Sequence, residues 1–148
     1  MRGIQFTSRL PRHRRVALEQ LLFFNGCQQR VAQDIVDVID RYGPPEIFDD
    51  GEGLRVRIAN LPEVQCLFAV DAATSRPIGV AVYMRADLAH VTVLHLGVSE
   101  DFCAGGPNED RRLLLRLMGE VRRSSQRIKG VRRVEVLYGT QRPRVSAL

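Results

Sequence analysis

The sequence predicts an α/β fold, a mixed α+β sheet held between helices as a three-layer sandwich. Two observations carry this. The segments Gln65–Asp71, Pro77–Arg85 and His90–Val98 are apolar on both faces, and strands without a polar face are covered on both sides. The second is a strand–loop–helix–strand run from His90 to Tyr138. Such a crossover makes the flanking strands parallel and right-handed in their connection, beside antiparallel strands joined by short turns.

Each element follows in order. A short strand fits Ile4–Thr7. Pro11 suits a helix entry, and Val16, Leu18, Leu21 and Leu22 give an apolar face to about Phe24. Asn25-Gly26 stops that helix. A second helix is predicted at about Gln28–Arg41, where Val31, Ile35, Val38 and Ile39 recur at helical intervals between polar residues. Gly43-Pro44-Pro45 ends it, and Asp49, Asp50 and Glu52 read as an acidic loop. Leu54–Ile58 alternates apolar residues with Arg, the pattern of a half-exposed strand near an edge. Ala72–Arg76 reads as a hairpin connection and Asp87-Leu88-Ala89 as a turn. A long helix is expected at about Glu109–Ile128, with Leu113, Leu117, Val121 and Ile128 on one stripe and Arg112, Arg116, Arg123 and Arg127 on the other side. Gly130 closes it, Val131–Tyr138 is the last predicted strand, and Gly139–Leu148 reads as a polar tail. No internal repeat or long linker divides the chain, so one domain is expected over residues 1–148.

Composition excludes several classes. The 148 residues suffice for one well-buried core. No apolar run approaches the roughly 20 residues of a membrane span, and the Leu21-Leu22-Phe23-Phe24 cluster lacks a cleavage site. Cys27, Cys66 and Cys103 have neither disulfide-framework nor zinc spacing. A reduced, cytoplasmic setting without a metal is the simplest expectation. The net charge is +5, and of 22 basic residues only Lys129 is not Arg, a skew that suits a GC-rich genome. Position says more than the total. Residues 1–15 carry five Arg and no acid, residues 16–108 a net of −7, and residues 109–148 a net of +7. That end favours an anionic ligand.

The connection Cys103-Ala104-Gly105-Gly106-Pro107-Asn108 between strand and helix has the chemistry to hold phosphate. Glycine lets backbone approach an anion closely, and the next helix offers unpaired N–H groups and its positive dipole end. Asn108 or Asp110 is the natural N-cap, which puts Glu109 and Asp110 in electrostatic competition with a phosphate. The plainer alternative is a flexible connection whose glycines relieve strain.

The run Leu96-Gly97-Val98-Ser99-Glu100-Asp101-Phe102 resembles the strand-4 exit of the GNAT acyltransferase superfamily. Leu113–Met118 is similar to the body of that family's cofactor helix, and Pro77-Ile78-Gly79-Val80 to its strand-3 opening. The resemblance spans roughly residues 4–138. It departs in two places. The family's Arg/Gln-x-x-Gly-x-Gly/Ala loop is absent as written, and the chain stops ten residues after Tyr138, short of the family's usual further helix and two strands. An open site, or one completed by a second copy in a homodimer, is the corresponding expectation.

The resemblance implies an N-acetyltransferase with acetyl-CoA as co-substrate. Backbone at Leu96, Gly97 and Val98 would hold the thioester arm, N–H groups of Gly105, Gly106 and Asn108 the pyrophosphate, and Arg111 or Arg112 a cofactor phosphate. Acyl transfer to an amine also needs a base and a proton donor to the leaving thiolate. Glu100 and Asp101 just past the strand, and His95 within it, are candidate bases. Tyr138 is the candidate donor. Plainer readings stand beside each: solvated loop carboxylates, a satisfied core histidine on the face of Val91 and Val93, and a strand-end tyrosine. Two other functions remain open, a non-catalytic GNAT-like domain binding CoA or a protein, and a nucleic-acid module using the Arg-rich termini. Nucleic acid is the less expected partner, since no base-stacking aromatics or base-reading motif stand out. The amine acceptor, a small molecule or peptide, is not identified by sequence.

Overall fold

The structure is a computed structural model, and it describes residues 3–23, 39–61, 63–85, 87, 89–102, 112–136 and 144–147. The chain is a mixed α/β protein. Strands β1 (Ile4–Thr7), β2 (Pro45–Asp49), β3 (Leu54–Ile58), β4 (Gln65–Asp71), β5 (Pro77–Arg85), β6 (His90–Val98), β7 (Arg133–Val136) and β8 (Arg144–Ala147) accompany helices α1 (Arg15–Phe23) and α2 (Leu113–Gln126). Residues 39–42 are also helical. The predicted helix at Gln28–Arg41 otherwise lies outside the described residues.

A six-stranded sheet runs in the order β1-β4-β5-β6-β7-β8. Its pairs are antiparallel except β6 with β7, which are parallel across the α2 crossover. The apolar strands explain the arrangement. Cys66, Phe68, Val70, Val80, Val82 and Leu94 bury one face against Leu18, Leu21 and Leu22 of α1 and against β3. Ala69, Ala81, Val91, Val93 and Val134 bury the other against Leu113, Leu117 and Val121 of α2. Both faces are thus covered, and each fully buried aliphatic or aromatic side chain contributes about 1.5–3 kcal/mol.

Three expectations are corrected. The acidic stretch after Pro45 is not all loop: Pro45–Asp49 pairs antiparallel with β3 as a separate two-stranded sheet. Proline is tolerated at the first residue of an edge strand, where no ladder N–H is required. The C-terminal segment is not simply a tail, because Arg144–Ala147 pairs antiparallel with β7. The long helix starts at Leu113, not Glu109, since Arg112 takes a left-handed conformation (φ 51°, ψ 47°) that a helix cannot continue through. Neither Asn108 nor Asp110 is its N-cap.

Register shifts twice. Between β4 and β5, Ala69 faces Gly79 and Val70 faces Pro77, so Ile78 is the extra residue. Between β5 and β6, Val82 faces His95 while Tyr83 faces Val93, so Leu94 is the extra one. Such bulges reverse which face the later residues of a strand present.

Candidate functional site

Beyond Val98 the chain turns at once. Ser99 N donates to Ile78 O at 2.8 Å, and Phe102 N donates to Ser99 O at 2.9 Å, closing a 3-10 turn over Glu100–Phe102. Phe102 is buried in the core beneath α2. That anchor leaves Glu100 exposed at the C-terminal end of β6.

A groove of about 620 Å³ opens there. Ala17, Gln20 and Leu21 of α1 form one wall, and Arg76 and Pro77 at the head of β5 another. Ser99, Glu100 and Asp101 form the third. Asp101 is tied in place: Ser99 Oγ donates to its Oδ1 at 2.6 Å, and Arg76 lies 3.2 Å from its Oδ2. Burial pulls the Asp101 carboxyl up, but Ser99 and Arg76 outweigh it and hold the group below its usual range. Glu100 is the more exposed of the two acids.

His95 lies elsewhere than the sequence suggested. The extra residue Leu94 puts it opposite Val82, on the α1 face of the sheet, not with Val91 and Val93. It is 4% exposed. Burial disfavours the imidazolium and lowers its pKa to about 4, so the ring is neutral and weakly basic at neutral pH. Leu96, Gly97 and Val98 stand opposite Ala81, Val80 and Gly79. Arg112 is exposed at the entry to α2. Gly105, Gly106, Asn108, Arg111 and Tyr138 lie outside the described residues.

Among the described residues the β6–β7 pairing covers His90–Val93 against Arg133–Val136. The first turn of α2 holds no acidic residue, so Glu109 and Asp110 do not oppose an anion from within it.

The groove residues Gln20, Arg76 and Ser99 were not singled out by the sequence. They stand far apart in the chain and meet only through the β5–β6 register and the seating of α1. No spacing signals them. Among the described residues no cluster of His, Cys, Asp and Glu could hold a metal, and no helix is long and apolar enough to cross a membrane. No protein-family model, curated protein or solved structure matches this chain.

Proposed function

We propose that this chain is a GNAT-type N-acetyltransferase that transfers the acetyl group of acetyl-CoA to an amine. One observation carries the reading. A groove lined by Ser99, Glu100 and Asp101 opens at the C-terminal end of β6, beside the parallel β6–β7 pair and its α2 crossover, the place where open α/β sheets take their ligands. The α2 crossover follows at once. Its first-turn N–H groups have no partner within the helix and the turn itself holds no acid, which suits an anionic pyrophosphate.

The family resemblance supplies the donor set for the co-substrate. Main chain at Leu96–Val98 would orient the thioester arm, and Gly105, Gly106, Asn108, Arg111 and Arg112 would take the phosphates. The groove beside Gln20, Arg76 and Glu100 would receive the amine. Glu100 removes the ammonium proton, directly or through water. The amine nitrogen bonds to the acetyl carbonyl carbon as the carbon–sulfur bond breaks; Tyr138 gives a proton to the leaving thiolate and is reprotonated, through water, by the second proton that the nitrogen sheds as the amide forms. His95 is the weaker candidate base, being neutral and enclosed.

A second reading, a CoA-binding domain without turnover, is favoured by one feature. Of the described candidate bases, His95 is buried and Asp101 is held by Arg76 and Ser99. Melting curves with acetyl-CoA test both, because a ligand at 100 times its Kd adds about 2.7 kcal/mol. No shift at millimolar CoA rejects both readings. A shift with no acetyl transfer to any of a panel of amines rejects the enzyme alone. Unchanged turnover in Tyr138→Phe removes Tyr138 as the donor.

A further inference from the structure

The outward side of α2 carries a pattern that neither the core nor acetyl transfer explains. Arg116, Gly119, Arg122, Arg123 and Arg127 recur at three- and four-residue steps opposite the buried Leu113, Leu117 and Val121, and Arg112 extends the row. All five arginines are exposed. One acid, Glu120, lies in the row, four residues after Arg116 and three before Arg123, and it meets only Arg123, at 2.6 Å.

The contrast with the rest of the molecule is informative. Arg9, Arg12, Arg15, Arg57 and Arg76 each hold a carboxylate. From Arg112 to Val134 there are eight cations and one acid, and among the described residues only Arg123 forms an ion pair. Helix stability does not account for the row either. Cations favour the C-terminal end of a helix dipole, yet Arg112 and Arg116 sit at the other end.

Gly119 is the second, independent observation. Glycine inside a helix is destabilising relative to alanine. A Cβ built at Gly119 would meet nothing within 4 Å, so the fold itself does not require the glycine. It leaves a bare patch of backbone, with Arg116 one turn before it and Arg122 and Arg123 one turn after. Bare backbone ringed by guanidinium groups suits something anionic that lies close against the helix.

We propose that this face of α2 docks the sugar–phosphate backbone of a nucleic-acid duplex, without reading its sequence. Guanidinium forks match phosphate oxygens bidentately. The row from Arg116 to Arg127 spans about 16 Å at 1.5 Å per residue, the axial length of roughly five base pairs. No aromatic side chain lies in α2, so unstacked bases of a single strand find no platform. The apolar stripe Leu113, Leu117 and Val121 is occupied by the core, and the exposed Leu114 and Leu115 are too few among the arginines to make a face that enters a membrane interface. A second copy of the chain would oppose like charge to like. Docking on the phosphate backbone needs no base-stacking aromatics and no base-reading motif.

The test is fluorescence anisotropy of the full chain with a random duplex of roughly 20 base pairs across 50–200 mM KCl. The expected Kd rises roughly 250-fold over that range, a log–log slope of about −4. Arg122→Gln with Arg127→Gln removes about two units of slope, equally for unrelated sequences. Gly119→Gln weakens duplex binding several-fold while the melting temperature holds or rises, which separates docking from folding. CoA binding is unaffected in these variants, so failure here leaves the acetyltransferase reading standing. No duplex binding at 50 mM KCl, a slope unchanged in the double variant, or tighter binding to polyglutamate or anionic vesicles at equal salt overturns the proposal.

Discussion

His95 stands directly across from Val82, one residue out of step with Tyr83 and Val93 on the same two strands. That places an imidazole inside the α1-side core, where its pKa falls from 6.5 to about 4 through burial. In the unfolded chain the ring takes up a proton as pH drops below about 6.5, while the folded ring resists until about 4. Stability is therefore present above pH 6.5 and lost as pH falls through that window. The expected loss is about 2 kcal/mol at pH 5 and about 3 kcal/mol by pH 4. The paired carboxylates Asp49, Asp50 and Asp101 have lowered pKa values, so their contributions are lost as pH falls below about 5 and leave the range above it to His95. Urea unfolding of His95→Gln should show a nearly flat profile between pH 5 and 7. A variant as pH-sensitive as the parent would refute the buried neutral ring.

Gly79 lies where α2 presses on the sheet. A Cβ there would stand 3.3 Å from Ala69 Cβ and 3.5 Å from Leu117 Cδ2. Leu117 is fully buried, and Leu117→Ala should cost about 2–5 kcal/mol. Gly79→Val should cost about 1–3 kcal/mol by overpacking. Because the two share one space, the double variant should be less destabilised than the sum by at least about 0.5 kcal/mol. Strict additivity in chemical unfolding would mean that the contact does not govern packing here.

How much of this was legible in the chain depends on what each residue touches. Strands β4, β5 and β6 announced themselves because Val, Ile, Leu and Phe fill both faces, and the parallel β6–β7 pairing followed from the crossover. β2 was hidden by Pro44-Pro45 and by Asp49 and Asp50, residues that signal loops yet are tolerated in an edge hairpin. β8 was hidden because Arg144-Val145-Ser146-Ala147 shows no apolar run or clear alternation in sequence, and its pairing with β7 is visible only in the fold. His95 was assigned to the wrong face because strict alternation cannot anticipate an extra residue at Leu94. Glu100 was legible as a polar residue past a strand, whereas the groove wall from Gln20 and Arg76 required the fold.

If Glu100 is the base, Glu100→Gln should lower kcat/KM for acetyl transfer by about 10²–10⁴, with little change in melting temperature because the residue is exposed. A variant that retains full activity would move the base elsewhere.

Asp50 does more than pair with Arg9. Its Oδ2 accepts from Arg9 Nε at 2.6 Å, and its Oδ1 accepts from Glu52 N at 2.9 Å and Gly53 N at 3.1 Å. The carboxylate therefore shapes the β2–β3 turn as well as tethering it to the segment after β1. Asp50→Ala should lower the melting temperature more than Arg9→Ala. Molar salt should shrink the Arg9 effect and leave most of the Asp50 effect, since backbone hydrogen bonds are not screened as an exposed ion pair is. Equal shifts for the two variants would reduce the interaction to the ion pair alone.

Ser125 presents the opposite case, a polar group whose removal should help. It lies on the buried side of α2 with no exposed surface, and its Oγ has no hydrogen-bond partner. A buried hydroxyl without a partner costs about 1–3 kcal/mol in lost hydration, and alanine is also the better helix former. The neighbouring Ser124 hydrogen-bonds the Tyr83 hydroxyl, whose pKa burial pushes up, so the two serines should behave oppositely. Ser125→Ala should stabilise the fold by about 1 kcal/mol, or roughly 3–4 °C in Tm for a chain of this size. Ser124→Ala should destabilise it by about 1 kcal/mol through loss of the Tyr83 partner. Should Ser125→Ala lower Tm instead, the hydroxyl has a partner in solution and the packing of α2 against the sheet differs from this arrangement.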